Sequence, residues 1–353
     1  MNKKLLIKAL PLALLFFLAW GASTTSKVWA QSKPFYKGKT IRIIVGFTPG
    51  GFYDRWSRHM ARFMPQFIPG KPNFIVQNMP GAGSRIAANY IYRFAKPDGL
   101  TFGTINKNLY FDQITGNKQV RYDWRKFTWV GSPERPPDVF YIRADTPFKN
   151  MDDIKKAATP PKCGSTGRAN SGYVIPKILE ETMGIKFKVV LGYKGGRQID
   201  LAVERGEVVC RVMTITPHLG REPFLTWHKK GFDLHLLQSG RKPFPDAPEI
   251  PSIYDLAKKY KVSNEDLKFI SLVTAANEFG RPYVGPPGIP QDRADILSKA
   301  FMSVLRDPKA IAVAKKLRMK PDPVDVKTLK IMARDVIDSP PAVVERFKKL
   351  IGG

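Results

Sequence analysis

Cysteine and histidine are scarce in this chain. Its 353 residues include two cysteines, Cys163 and Cys210, and four histidines. The spacing of the two cysteines rules out a cysteine-type zinc site, and the histidines lack the close pairing that a metal site usually shows. The histidines are His59, His218, His228 and His235. We therefore expect no metal and no cofactor, and we interpret the histidines as surface or core residues.

Acidic residues are also in short supply. The chain has 30 acidic and 58 basic residues, which gives a formal net charge of +28. Such a charge favours anionic ligands, anionic membrane surfaces or, without specificity, nucleic acid. The basic residues are spread along the whole chain, and no block of five or six stands alone. We interpret the charge as a general positive field and predict no nucleic-acid partner.

No apolar run is long enough to span a bilayer. The run at residues 9–22 is broken by Pro11 and Gly21, and it is shorter than the ~20 residues that a spanning helix needs. A basic N-terminus precedes it, and a polar stretch ending in Ala30 follows, which is the pattern of a secretory signal peptide. We predict that residues 1–30 are a signal peptide cleaved after Ala30. An uncleaved membrane anchor is the alternative.

Export would permit a disulfide between the two cysteines. Each cysteine ends or lies within a predicted strand of the same region. Sequence gives no Cα–Cα distance, so a Cys163–Cys210 disulfide and two free buried thiols both stay open.

The most informative stretch of the sequence is a glycine turn near residue 50, which lies between a predicted strand and a predicted helix. Residues 41–45 are rich in β-branched side chains and predict a buried strand. A turn at Pro49-Gly50-Gly51 follows, and then a helix begins that carries Asp54. Backbone N–H groups at such a helix start point at one small volume, which suits an anion. Many α/β proteins nevertheless have such a turn with no ligand in it.

The same pattern recurs in the next fifty residues. A strand at 73–78 enters the glycine-rich turn 80–84, and a helix follows. A further strand is predicted at 100–105, with Asn106 just past its end. Because the ends of parallel strands share one crevice, the two turns and Asn106 are expected to face the same ligand site.

The middle and end of the chain continue this alternation. We predict a crossing at 127–143, a loop of small residues at 163–171, and a Pro-rich connection at 243–251. We also predict a strand at 269–273 and a helix capped by Asp307 with Pro308 at its first position.

Several of these segments resemble one family, the periplasmic solute-binding proteins of tripartite tricarboxylate transporters (Bug or TctC-like receptors). Residues 49–54 resemble its PGGxxD turn, residues 77–83 its ENxPGAGG motif, and residues 97–101 its PDGYT motif. Residues 164–167 resemble its GSxGxGS loop, residues 193–195 its PYKG motif, and residues 286–290 its APxGTP motif. The motifs occur in the family's order, from about residue 39 to the C-terminus.

This resemblance implies an α/β protein with the type II periplasmic-binding-protein fold, in which two α/β domains are joined by two crossing strands with a ligand cleft between them. We place domain 1 at 31–136 and 241–353, and domain 2 at 137–240. The implied function is a monomeric periplasmic receptor that captures a small organic acid and delivers it to membrane subunits of a tripartite tricarboxylate-type transporter. It implies no enzymatic activity.

The resemblance also implies the site. The first loop is Thr48, Gly50, Gly51, Phe52, Tyr53 and Asp54, and the second is Gly81, Ala82, Gly83 and Ser84. The opposite wall is Ser165, Thr166, Gly167, Asn170 and Tyr173, with Tyr193 and Thr214 behind it. We expect Asp54 to cap or orient its turn, because its charge would repel an anion.

The chain departs from the family pattern at several of these positions. Ser84 replaces a glycine, Tyr173 stands where histidine is frequent, and Thr214 stands where an acid is common. Arg168, Arg211 and Arg281 add positive charge near the expected cleft. With Phe52 and Tyr53, these changes suggest an aromatic or multiply charged acid, unless the two rings simply pack over their loop.

Three other functions are alternatives to this one. An exported enzyme is disfavoured, because no Ser/His/Asp order or close carboxylate pair emerges. A polyanion-binding protein would show binding that collapses in salt. A ligand sensor with no link to transport is the third alternative.

Overall fold

The computed structural model describes residues 34–352, and the predicted signal peptide lies outside them. In this described part no helix has both the length and the apolarity to cross a membrane. Ten strands form two five-stranded sheets, each covered by helices, so the fold consists of two α/β lobes. The strands are β1 (Thr40–Val45), β2 (Asn73–Asn78), β3 (Thr101–Thr104), β4 (Thr128–Gly131), β5 (Asp138–Arg143), β6 (Lys162–Gly164), β7 (Lys188–Val190), β8 (Cys210–Thr214), β9 (Asp233–Gln238) and β10 (Tyr283–Gly285).

Helices cover both sheets. They are α1 (Phe52–Phe63), α2 (Arg85–Arg93), α3 (Tyr110–Ile114), α4 (Met151–Lys156), α5 (Ser171–Met183), α6 (Gly196–Glu204), α7 (Ile215–Gly220), α8 (Phe224–Lys230), α9 (Ile253–Lys259), α10 (Asn264–Thr274), α11 (Gln291–Val304), α12 (Pro308–Lys316), α13 (Val326–Ile337) and α14 (Pro341–Gly352).

The first lobe is built around β1. Its sheet has the order β2-β1-β3-β10-β4, and β1 pairs in parallel with both β2 and β3. Ile43 and Val45 pack on one face with Trp56 of α1, whereas Ile44 packs on the other face with Ile91 of α2. A central parallel strand is buried on both faces, which explains why β1 is rich in β-branched residues.

The second lobe repeats this arrangement. Its sheet has the order β7-β6-β8-β5-β9, with β6 parallel to β7 and β8. The chain passes from the first sheet to the second between β4 and β5, and leaves the second sheet after β9. We infer that the domain boundaries lie in these two connections.

Local start signals account for several helices. Asn150 caps α4 in a capping box with Asp153, and Asp307 caps α12 with Pro308 in the first turn. Both caps satisfy N–H groups that have no partner within the helix. The prediction of a helix start at Asp307 is confirmed.

The predicted strand at 269–273 is wrong, because these residues belong to α10. Ser263 caps this helix by accepting a hydrogen bond from the Asp266 N–H. Phe269, Ile270 and Val273 are buried at helical spacing. The apolar run resembled a strand, but the Ser-x-x-Asp start signal six residues earlier indicates a helix.

Cys163 and Cys210 form a disulfide. They are direct partners in the parallel pairing of β6 with β8, and their Cα atoms are 4.4 Å apart. The bond links residues 47 apart in sequence, so on the chain-entropy model it stabilises the fold by about 4 kcal/mol. It fixes the strand after which the 165–171 loop begins.

Candidate functional site

Three helix N-termini meet at one cavity of ≈ 90 Å³ between the lobes, which we call the cleft cavity. Gly51 is the N-cap of α1, Asn170 is the N-cap of α5, and Gly196 is the first residue of α6; all three line the cavity. First-turn N–H groups have no partner within their helix, and the helix dipole adds partial positive charge there. The cleft cavity is therefore suited to an anion.

The sheet topology explains this convergence. The three helices follow β1, β6 and β7, each of which lies in the parallel part of its sheet. The carboxyl ends of parallel strands are where open α/β sheets bind ligands. Each lobe presents such an edge to the other.

Asp54 fixes the first turn and does not line the cavity. Its carboxylate accepts hydrogen bonds from Gly50 N at 2.9 Å and from Asn78 Nδ2 at 3.0 Å, and it pairs with Arg58. Burial alone would raise the pKa of Asp54, but the hydrogen bonds from Arg58, Gly50 and Asn78 lower it. The carboxylate is thus a charged brace for the turn.

The second loop has an unusual backbone. Gly81, Ala82, Gly83 and Ser84 are four consecutive residues with positive φ, a conformation that costs energy in residues with a Cβ. Asn106 holds this loop, because its Nδ2 donates to Gly83 O at 3.2 Å and its N–H donates to Ser84 Oγ at 3.3 Å. The loop lies next to Gly167 of the second lobe, and its side chains are not part of the cavity lining.

Glycines allow the loops of the two lobes to touch. A Cβ on Gly195 would lie 2.1 Å from Thr48 Oγ1, and one on Gly167 would lie 3.2 Å from Gly83 N. Each pair joins a loop of the first lobe to a loop of the second. The lobes are therefore closed against each other at contacts that leave no room for a side chain.

Two buried arginines share one carboxylate on the second-lobe wall. Arg221 Nη2 donates to Asp200 Oδ2 at 2.7 Å, and Arg211 Nη1 donates to Asp200 Oδ1. Both arginines line the cavity, whereas Asp200 stands behind them on α6. A single carboxylate for two guanidinium groups leaves one positive charge on this wall.

Two further buried ion pairs contribute to the cavity lining. Arg281, which lines the cavity, pairs with Glu134, and Lys107 Nζ donates to Asp138 Oδ2 at 2.9 Å. Burial lowers the pKa of Lys107, and the adjacent Asp138 partly offsets this. Each of these pairs is neutral overall.

Phe52 and Tyr53 line the cavity while already packed against protein. Phe52 is buried with the first-lobe core, and Tyr53 contacts Phe47 at a ring-centroid distance of 4.5 Å. The Arg281 guanidinium lies 4.7 Å from the centre of the Tyr53 ring, which favours it by a cation–π interaction. Burial raises the pKa of Tyr53 to about 12, so its hydroxyl stays protonated at neutral pH.

The residues predicted for the site divide into three groups. Those in the cavity lining are Thr48, Gly51, Phe52, Tyr53, Thr166, Asn170 and Thr214. Those that build or brace the surrounding loops are Gly50, Asp54, Gly81, Ala82, Gly83, Ser84, Asn106, Ser165 and Gly167. Tyr173 and Tyr193 pack in or against the hydrophobic core and are outside the lining.

Sequence reasoning missed several charged residues at this site. Arg197 and Arg221 line the cavity, and so does Asp138, which pairs with Lys107. Arg197 directly follows a Gly-Gly pair that opens a helix, a signal that could have pointed to it. Arg168, which the sequence places near the cleft, is outside the lining, and its Nη1 donates to Ile351 O at 3.0 Å.

The histidines do not fit the expectation of separate surface or core residues. His218, His228 and His235 converge on Asp233 in the second lobe, with their ligand atoms all within 4.8 Å of one another. His59 lies elsewhere, between Trp56 and Phe63. The signal in the sequence is Asp233-x-His235, because alternate residues of a strand share one face.

Two α/β lobes that close on an anion-suited cavity are the architecture of the solute-binding proteins with the type II periplasmic-binding fold. The described residues match, at positions 69–347, the model of the tripartite tricarboxylate transporter family receptor, TctC. The chain belongs to this family, as its motifs predicted.

Known proteins agree with this assignment. A curated relative, the UPF0065 protein in the tcbD-tcbE intergenic region of Pseudomonas sp. (strain P51), is 23% identical over 303 residues, or 85% of this chain and 83% of that protein. The structure of the periplasmic binding protein BugD has a TM-score of 0.70 at 20% identity, covering 89% of this chain and 98% of its own. MatC from Rhodopseudomonas palustris, solved with bound malate, has a TM-score of 0.67 at 17% identity, covering 89% and 99%.

Proposed function

We propose that this protein captures a small organic acid with two negative charges in the periplasm. The observation that carries the proposal is the meeting of three helix N-termini and four arginines at the closed cleft cavity. Helix N-termini and guanidinium groups are the donors that bind carboxylates best.

The charge balance of the site favours a dianion. The four arginines are Arg197, Arg211, Arg221 and Arg281, and Lys107 stands behind Asp138. The carboxylates that oppose these five cations are Glu134, Asp138 and Asp200. Two positive charges are left over, and a ligand with two carboxylates would balance them. A monoanion would leave one unpaired, which is unfavourable away from water.

The size of the site favours a short aliphatic acid over an aromatic one. The cavity volume is ≈ 90 Å³, and the rings of Phe52 and Tyr53 already fill part of the space between the lobes. We therefore interpret the two rings as walls of the site. Malate, which MatC binds on the same fold, is a short dicarboxylate and supports this choice.

A thermal-shift screen against mono-, di-, tri- and aromatic carboxylates, at low and high salt, tests the proposal. A dicarboxylate is expected to raise the melting temperature most, because a ligand at a hundred times its Kd adds about 2.7 kcal/mol to stability. The shift should survive high salt, since the charges that bind the acid are buried.

Two other outcomes would contradict the dicarboxylate proposal. Small shifts with every anion that vanish in salt would favour the polyanion-binding alternative. A large shift with an aromatic acid alone would show that Phe52 and Tyr53 form an aromatic site.

We further propose that the receptor delivers its acid to the membrane subunits of a tripartite tricarboxylate-type transporter. The family assignment supports this step. Cells that lack the receptor gene are expected to lose uptake of the acid found in the screen, and the intact gene should restore it. Unchanged uptake would instead favour a ligand sensor with no link to transport.

A further inference from the structure

Three histidines and one aspartate of the second lobe aim their ligand atoms at one point. His218 lies on α7, His228 on α8, and Asp233 and His235 on β9. His218 Nε2 lies 2.8 Å from His235 Nε2 and 3.2 Å from His228 Nε2. Asp233 Oδ2 lies 3.0, 3.4 and 3.3 Å from the Nε2 atoms of His218, His228 and His235.

Hydrogen bonds alone do not explain this cluster. The Asp233 and His218 side chains are fully buried, yet neither carboxylate oxygen of Asp233 has a hydrogen-bond donor in good geometry. A buried carboxylate without such a donor or a cation is strongly unfavourable.

The separations are close to those of a tetrahedral metal site. Zinc bonds of about 2.0–2.2 Å place neighbouring ligand atoms about 3.3–3.6 Å apart in a tetrahedron. Five of the six separations between the ligand atoms are 2.8 to 3.4 Å, and all four atoms lie within 4.8 Å of one another. We propose that His218, His228, Asp233 and His235 bind one divalent transition-metal ion of the zinc class.

The donor set points to a closed, structural site. Four protein ligands fill a tetrahedral shell and leave no position for substrate, and imidazole with carboxylate suits zinc better than calcium or magnesium. The Tyr141 ring stacks on His218 at a centroid distance of 4.7 Å, and Phe224 packs at 4.5 Å. His228 and His235 are 24% and 21% exposed, so the ion can enter from their side.

A bound metal ion would stabilise the part of the second lobe that lines the cleft cavity near α7. Thr214 caps α7, and Pro217 and Arg221 line the cleft cavity on either side of His218. A bound ion would tie α7 and α8 to β9, and so hold these cavity residues in place.

Metal binding can be measured on the purified protein after tag removal and treatment with a chelator. Calorimetric titration with Zn²⁺ is expected to show one ion per chain. His228→Gln and His235→Gln should each lower the affinity at least tenfold, because each removes a ligand at the exposed side of the site. His59→Gln is the matched control, since His59 is the histidine outside the cluster, and it should bind Zn²⁺ like the parent.

Cobalt titration of the parent protein tests the geometry without any variant. One equivalent of Co²⁺ should give the intense visible absorption of a tetrahedral ion, and Zn²⁺ should displace it. Weak octahedral spectra, the absence of a saturable equivalent, or equal Zn²⁺ affinity in His228→Gln, His235→Gln and the parent would each overturn the proposal.

Discussion

Replacing Gly195 with alanine is expected to weaken binding of the receptor's acid about five- to 150-fold without unfolding the protein. Gly195 has φ −172°, an extended conformation that any residue adopts. The substitution therefore causes no backbone strain within the second lobe. Its added Cβ would instead lie 2.1 Å from Thr48 Oγ1 of the first lobe.

The clash acts on closure of the cleft. A ligand held by both lobes binds the closed form, and its apparent affinity falls with the fraction of protein that can close. Overpacking of a tight contact costs about 1–3 kcal/mol, which corresponds to about five- to 150-fold in affinity. Titration calorimetry with the best acid from the screen measures this loss, and urea unfolding without ligand should give a free energy close to that of the parent.

A double-mutant cycle provides the control. Thr48→Ala removes the Oγ1 and Cγ2 atoms, which lie 2.1 and 2.9 Å from the position that a Cβ on Gly195 would occupy. Thr48→Ala combined with Gly195→Ala should therefore bind better than the sum of the two single effects predicts. Strict additivity, or an unchanged affinity in Gly195→Ala, would contradict the assignment of this contact to closure.

The local parts of the site could be predicted from the sequence. The turn at Gly50 and Gly51 and the brace at Asp54 depend on residues within a few positions of one another. Strand β1 is rich in β-branched residues because both of its faces are buried. These features follow from the local sequence pattern and from the residues that turns require. The resemblance to family motifs then predicted the complete fold.

The contacts between distant segments could not be predicted in this way. Thr48 meets Gly195, and Arg221 meets Asp200, only because two sheets face each other or two elements pack side by side. No periodicity relates such residues. The histidine cluster could not be predicted from the sequence for the same reason. His218 lies on helix α7 and comes close to Asp233 of β9 only in the folded protein.

Replacing Asp200 is expected to destabilise the protein strongly, because two buried arginines share its carboxylate. Asp200→Asn keeps the size of the side chain but removes its charge. Arg211 and Arg221 would then face each other as buried cations with a neutral partner. Breaking a buried ion pair by removing one partner costs about 3–5 kcal/mol, so the free energy of unfolding in urea should fall by about that amount.

A surface pair serves as the control for this loss. Asp338 pairs with Arg125 at 3.0 Å, and its side chain is 53% exposed. Asp338→Asn should lower the free energy of unfolding by less than about 1 kcal/mol, since exposed ion pairs contribute little. Equal effects of the two substitutions would show that Asp200 is not a critical counter-ion.

The Asp200→Asn variant also tests how the acid binds, through the rise in melting temperature that the acid causes. Without Asp200, the site has one more uncompensated positive charge, so a dicarboxylate has more charge to neutralise. Its presence should therefore raise the melting temperature of Asp200→Asn more than that of the parent, provided that the arginines keep their places. A smaller shift than in the parent would mean that Asp200 mainly orients Arg211 and Arg221 for the acid, because guanidinium groups that have lost their orientation bind a carboxylate less well.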